Sequence, residues 1–142
     1  MQPTSPNNTK TGSDILLDAH TSERGSLFVA EAGKQVPFVI KRFFIITDVP
    51  QGVSRGAHAH KKTEQAVFCL RGSFALLCDD GVSVSESKLS ALSRGVLLSS
   101  RVWHVMKDFS PDALLLIVAS EHYDEADYLR DYQAFKDYVA RN

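Results

Sequence analysis

The sequence predicts an all-β fold, a sandwich or barrel of short strands followed by one C-terminal α-helix. Three observations carry that prediction. Between residue 14 and about residue 119 the chain is a series of apolar or alternating runs of strand length, rich in Val, Ile and Phe. Turn residues interrupt these runs at short, regular intervals. After residue 121 the alternation stops, and apolar residues recur at a roughly helical spacing instead.

In chain order the strand candidates are DILLDA, SLFVAE, FVIKRFFIIT, AVFCL, SFALLC, GVSVSESKL, GVLLS, RVWHVM and ALLLIVAS. Arg71-Gly72-Ser73 reads as a tight turn and Asp79-Asp80-Gly81 as a hairpin. In DEADYLRDYQAFKDYVARN, Leu129, Tyr132, Phe135 (or Ala134) and Val139 follow an acidic first turn. This places the terminal helix from about residue 124, docked on the outside of the strands. With 142 residues, 44% of them hydrophobic, the chain predicts one domain with a real core over residues 14–142. Residues 1–13 predict a flexible polar tail, without the apolar stretch of a signal peptide. No window approaches the length of a membrane span. Cys69 and Cys78 both lie in apolar runs, the setting of buried cytosolic thiols. Together these features predict a soluble cytoplasmic protein.

The net charge of −1 provides no global attraction for nucleic acid or membrane. Its distribution is uneven. Arg24 to Lys62 holds seven Lys or Arg against two acids, whereas Asp112 to Asp137 holds seven acids against two bases. A positive pocket in a neutral domain is compatible with that pattern. Tyr123, Tyr128, Tyr132 and Tyr138 read as packing residues, Lys41 and Lys61 as solvated charges, and His20 and His122 as lying outside any site.

The densest chemistry lies in RGAHAHKKTEQ, residues 55–65. Gly52, five residues, His58-x-His60, four residues, Gln65, six residues and Gly72 reproduce the first cupin motif, in which a small β-barrel points a His-x-His pair inward. Side chains two apart share one face of a strand, so His58 and His60 point the same way. A later histidine, His104, stands in SSRVWHVMKD. Metal cupins carry a glutamate where this chain has Gln65, and a neutral amide is a much weaker ligand for a divalent ion. Three histidines alone could hold zinc, so metal is disfavoured, not excluded. Without metal, imidazoles enclosed beside Arg55 are held neutral, the form a general base needs. Such a base can remove a proton alpha to a ketone, with nearby cations stabilising the enolate oxygen.

The blocks ERGSLFVAE, PFVIKRFFIITDVP, RGAHAHKKTEQAVFCLRGSF, VWHVMKDFS and YDEADYLRDYQAFKDY, in that order, resemble the dTDP-sugar 3,4-ketoisomerases, the WxcM-like cupins of bacterial deoxysugar biosynthesis. The resemblance runs from about residue 14 to residue 140. It implies a small RmlC-like jelly-roll barrel with a C-terminal helix. It also implies a cytoplasmic, metal-independent isomerase without a cofactor, acting on dTDP-4-dehydro-6-deoxy-α-D-glucose. The ketone would move from C4 to C3 through an enediol, and the product would serve deoxyaminosugar synthesis, for example for a lipopolysaccharide O-antigen. Family members are homodimers that exchange N-terminal strands.

Carried onto this chain, the resemblance makes His58 the catalytic base and His60 its partner in proton movement. Arg24 and His104 match pocket positions that help decide the face of reprotonation at C4, and this pair leans towards the galacto product. Arg42 and Arg55 would suit the pyrophosphate or substrate oxygens, Gln65 would line the pocket in place of a metal carboxylate, and Trp103 is placed there too. Lys107 stands where some relatives carry a histidine. The rival readings are a metal-dependent cupin, either a dioxygenase or a sugar isomerase, and a non-catalytic sugar-nucleotide binder. A dTDP-sugar 3,5-epimerase is a further rival, but its His base with Asp and Tyr acid has no evident counterpart in the sequence.

Overall fold

The computed structural model describes residues 12–90, 92 and 94–142. Most of the predicted tail, residues 1–11, lies outside the described residues. Residue 13 already lies against the fold, because the Leu97 N–H donates to the Ser13 carbonyl at 2.8 Å. The strands are β1 (Asp14–Leu16), β2 (Asp18–Ser22), β3 (Gly25–Val29), β4 (Arg42–Thr47), β5 (Arg55–His60) and β6 (Gln65–Arg71). They continue with β7 (Phe74–Asp79), β8 (Val84–Leu89), β9 (Arg94–Leu98), β10 (Trp103–Lys107), β11 (Leu114–Ala119) and β12 (Tyr128–Leu129). One helix, α1 (Tyr132–Arg141), ends the chain.

Two antiparallel five-stranded sheets face each other as a jelly roll, one ordered β1-β9-β6-β11-β4 and the other β12-β5-β10-β7-β8. The β2–β3 hairpin is a separate two-stranded ribbon. The alternation in RFFIIT sends Phe44 and Ile46 into the interior and leaves Phe43 and Ile45 on the outer face. Val67, Cys69, Phe74, Leu76, Leu115 and Ile117 meet between the sheets, with the Phe74 and Phe109 rings stacked at 5.6 Å. Both cysteines are free and buried, and burial pushes the Cys78 thiol up to about 12. Gly72, at φ +74°, turns the chain from the first sheet into the second. The β7–β8 hairpin closes as the Asp79 carboxylate accepts from the Gly81 N–H at 2.8 Å and Asp80 N–H donates to the Ser83 carbonyl at 3.2 Å.

The C-terminal segment departs from the sequence reading. No helix begins near residue 124. Asp124 instead caps a single 3-10 turn, Glu125–Asp127, and the chain then extends so that Tyr128 and Leu129 pair with His60 and Ala59. The cause is Asp127, drawn inward by donors from Lys62, Thr63 and His60, which pins the backbone beside β5. The helix starts afresh at Tyr132, where the Asp131 carboxylate accepts from the Ala134 N–H at 2.9 Å. It then packs Phe135 against Ala59, Trp103 and Leu129, covering the outer face of the second sheet over β5, β10 and β12. Among the described residues, no helix is long and apolar enough to cross a membrane.

Candidate active site

The two histidine-bearing strands are neighbours in the second sheet. His104 of β10 pairs with His58 of β5, and the register slips by a residue between His104 and Val105. The irregularity has a backbone cause. Gly56 sits at φ +88° and Ala57 at φ +61°, both in the left-handed region. A side chain at residue 56 would bring its Cβ to 3.0 Å from the His104 carbonyl, so glycine permits this close approach. Ala57 holds its conformation at a cost on the order of 1 kcal/mol, a local strain of the kind found beside functional groups.

The outcome is a knot of three imidazoles. The His58 ring lies 4.7 Å from that of His104 and 5.1 Å from that of His60, and the His60 and His104 rings are 6.1 Å apart. Together with Arg42, Phe44, Arg55, Gln65, Met106, Tyr128 and Arg130, His58 and His104 line a cavity of about 280 Å³. Among the described residues, no group of three or more His, Cys, Asp or Glu side chains is arranged to hold a metal ion.

The electrostatics favour neutral rings. Burial, and then the repulsion of His60, take the His58 pKa from 6.5 down to about 4. His104 falls to about 3, again from burial first and then from its two histidine neighbours. His60 is lowered by burial as well, but Asp127, hydrogen-bonded to its Nδ1 at 3.0 Å, acts in the opposite direction. At neutral pH all three are therefore unprotonated and able to accept a proton.

Above the histidines stands a cationic rim. Arg42 lies over the Phe44 ring at 5.3 Å and donates from Nε to the Glu121 carbonyl. Arg130 stacks its guanidinium 4.1 Å over the Tyr128 ring and donates two hydrogen bonds to Glu125, at 2.7 and 3.0 Å. The Tyr123 hydroxyl donates to the same carboxylate at 2.6 Å. The bonds from Arg130 and then Tyr123 hold Glu125 down to about 2, so it stays ionised and Arg130 stays in place. Tyr128 edges against the His60 and His58 rings at 4.4 and 5.0 Å.

Of the residues singled out from sequence, His58, His104, Arg42, Arg55 and Gln65 share the cavity. His60 joins the cluster from behind and is buried without lining the cavity. Trp103 does not line it. Its position in β10, one residue before His104, turns it to the outer face, where it packs on Phe135 and Tyr132 under α1. Arg24 is also absent from this cavity. It sits in the turn of the β2–β3 hairpin, beside His20 and Ser22, and this ribbon pairs only with itself. Tyr128, Arg130 and Asp127 were not singled out from the sequence as site residues. They fall in the stretch read as helix, and only the extended backbone after Asp127 turns them towards the histidines.

The fold and pocket define a cupin-type jelly roll with a histidine-lined cavity. Residues 12–140 match the model of the family described as FdtA: WxcM-like, C-terminal. The chain is 45% identical over 118 residues to TDP-4-oxo-6-deoxy-alpha-D-glucose-3,4-oxoisomerase of Aneurinibacillus thermoaerophilus, covering 83% of this chain and 85% of that one. Its fold superposes with a TM-score of 0.89 on QdtA, a sugar 3,4-ketoisomerase from Thermoanaerobacterium thermosaccharolyticum solved with TDP, at 33% identity over 96% of this chain and 98% of that chain. The WlaRB TDP-quinovose 3,4-ketoisomerase of Campylobacter jejuni gives 0.86 at 38% identity, covering 90% of this chain and 98% of that one. The chain belongs to the FdtA, WxcM-like family, and it is an isomerase.

Proposed function

We propose that the protein is a dTDP-sugar 3,4-ketoisomerase that converts dTDP-4-dehydro-6-deoxy-α-D-glucose into the 3-dehydro isomer by histidine acid–base catalysis. The observation that carries this reading is a cluster of three neutral imidazoles, His58 and His104 lining one small cavity and His60 buried behind them, opposite three guanidinium groups. A neutral His58 accepts the proton from C3, and an enediol forms as the C4 oxygen takes up a proton. A proton delivered to C4 and loss of the C3 hydroxyl proton then leave the ketone at C3, with no net redox change. Arg42, Arg55 and Arg130 suit the pyrophosphate and the developing enolate oxygen, where charge-assisted donors are most effective. The relatives with TDP or TDP-sugar names support the nucleotide part of the substrate.

The product would have the galacto configuration at C4, on the strength of Arg24 and His104. Because Arg24 lies outside this chain's own cavity, its part requires a second copy. A homodimer in which the N-terminal ribbon crosses to a neighbour would provide it, and would cover exposed Leu16, Phe43 and Ile45 on the first sheet. The reading places the enzyme in the cytoplasm, in the synthesis of deoxyaminosugars. The test is a proton NMR time course with dTDP-4-dehydro-6-deoxy-α-D-glucose and excess chelator. Appearance of the 3-ketone with a small H4 coupling supports the full reading, and a large coupling would assign the gluco product instead. Conversion only after metal is restored would favour a metal-dependent cupin.

A further inference from the structure

Asp127 is a carboxylate that the scheme above leaves unused. It is buried and fully engaged: Lys62 N–H donates to Oδ1 at 2.7 Å, while the Thr63 N–H and hydroxyl donate to Oδ2 at 3.3 and 2.5 Å. The fourth contact is His60 Nδ1, at 3.0 Å from Oδ2. Burial opposes the charge on Asp127, but the donors outweigh it and hold the carboxyl below its ordinary range. An ionised carboxylate only accepts, so the hydrogen of this bond sits on His60 Nδ1. In the neutral ring Nε2 is then bare. That nitrogen is buried without a hydrogen-bond partner, and so is Nδ1 of His58, on a ring 5.1 Å away.

We propose that Asp127 is a positioning residue for the isomerisation: it fixes His60 as the Nδ1–H tautomer, with Nε2 open to the proton that His58 takes from C3. This rests on the reading of His58 as the base. The groups facing His60 divide clearly. His58 on the same strand, His104 on β10, Arg42 on β4 and Arg130 beyond β12 are cations or potential cations, and the Tyr128 ring packs against one face. Asp127 is the group among them that favours an imidazolium. No carboxylate is hydrogen-bonded to His58: a backbone contact with Gly56 and the charge of Glu125, which is bonded to Arg130 and Tyr123, favour its imidazolium but are outweighed by burial and His60. The proton balance is simple. His58 is returned to neutrality as His60 becomes an imidazolium against an ionised Asp127, and the charge disappears when a proton is delivered to C4.

The experiment is a long-range proton–nitrogen NMR titration of the histidine-labelled enzyme, paired with steady-state kinetics of Asp127→Asn. The expected wild-type result is His60 in the Nδ1–H form, protonating at higher pH than His58 and His104. In Asp127→Asn, loss of the negative charge should lower the His60 pKa by about one unit or more. The acid limb of the rate profile should move the same way, with kcat reduced on the order of 10²-fold and KM nearly unchanged. An Nε2–H tautomer in the wild type overturns the proposal, as does an Asp127→Asn enzyme with wild-type titration and kcat. If Asp127→Asn fails to fold, the wild-type tautomer and titration order decide alone. A wild type that isomerises nothing would refute the functional reading, while the tautomer still decides the role of Asp127.

Discussion

The two five-stranded sheets share a core but treat their outer faces differently. The sheet built on β5 and β10 carries the histidines inside and is covered outside, over β5, β10 and β12, by its own helix, through Trp103, Leu129 and Phe135. The sheet built on β6 and β11 contributes Arg42 and Gln65 to the cavity; on its back Val36 and Phe38 pack over Ala66, Phe68, Leu97 and Val118, but along β4 Phe43 is left 65% and Ile45 53% exposed. The difference assigns separate tasks. The first-named sheet needs rigidity, since a shift of β5 or β12 would displace the imidazole cluster. The other leaves apolar surface along β4 that the proposed homodimer would cover.

The largest effect is expected where the helix packs on β5, β10 and β12. Phe135 is fully buried, so Phe135→Ala should cost about 3–5 kcal/mol of stability, read as a fall in denaturation midpoint. A loss below about 1 kcal/mol would mean the helix is not what holds the histidine sheet.

Acid should weaken the same sheet next. The folded pKa values of His58 and His104, about 4 and about 3, lie below the ordinary 6.5, so the unfolded chain binds protons first. Their stabilisation is complete above about pH 6.5 and declines as pH falls towards the folded values, by up to ~1.4 kcal/mol per pH unit for each ring. Chemical denaturation at a series of pH values would show this slope. A flat profile between about pH 6.5 and about pH 5 would mean that the rings are not held neutral.

The smallest effect on the fold is expected from the exposed face of β4. Phe43→Lys should change the stability of the single chain by less than about 1 kcal/mol, because the side chain already faces outwards. It should nevertheless halve the mass seen by light scattering, if that face joins two copies. An unchanged mass would move the interface elsewhere.

The β-rich fold was legible because its signals are local. RFFIIT alternates, Asp79-Asp80-Gly81 turns, and His58-x-His60 fixes two side chains on one face of β5. His104 followed from the same motif logic. The stretch from Asp124 to Asp131 was not legible as it folds. Acidic residues ahead of Leu129 and Tyr132 carry the pattern of a helix start, and that pattern appears twice: Asp124 caps a 3-10 turn and Asp131 caps α1. What separates the two is a long-range event, the capture of Asp127 by His60, Lys62 and Thr63, more than sixty residues away in sequence. Tyr128 and Arg130 reach the site only as a consequence. Trp103 failed for a simpler reason. Strand parity places it opposite His104, but its residue type alone suits either face.

The proposed reaction depends on a neutral His58 that removes the sugar proton. The most direct test follows solvent deuterium incorporation into dTDP-4-dehydro-6-deoxy-α-D-glucose by wild type and His58→Asn, with TDP binding measured in parallel. Exchange at the reacting carbons is expected in the wild type and none in His58→Asn, while TDP binding is nearly preserved because the rim arginines remain. Wild-type exchange in a folded His58→Asn enzyme would contradict it and assign the base to another group.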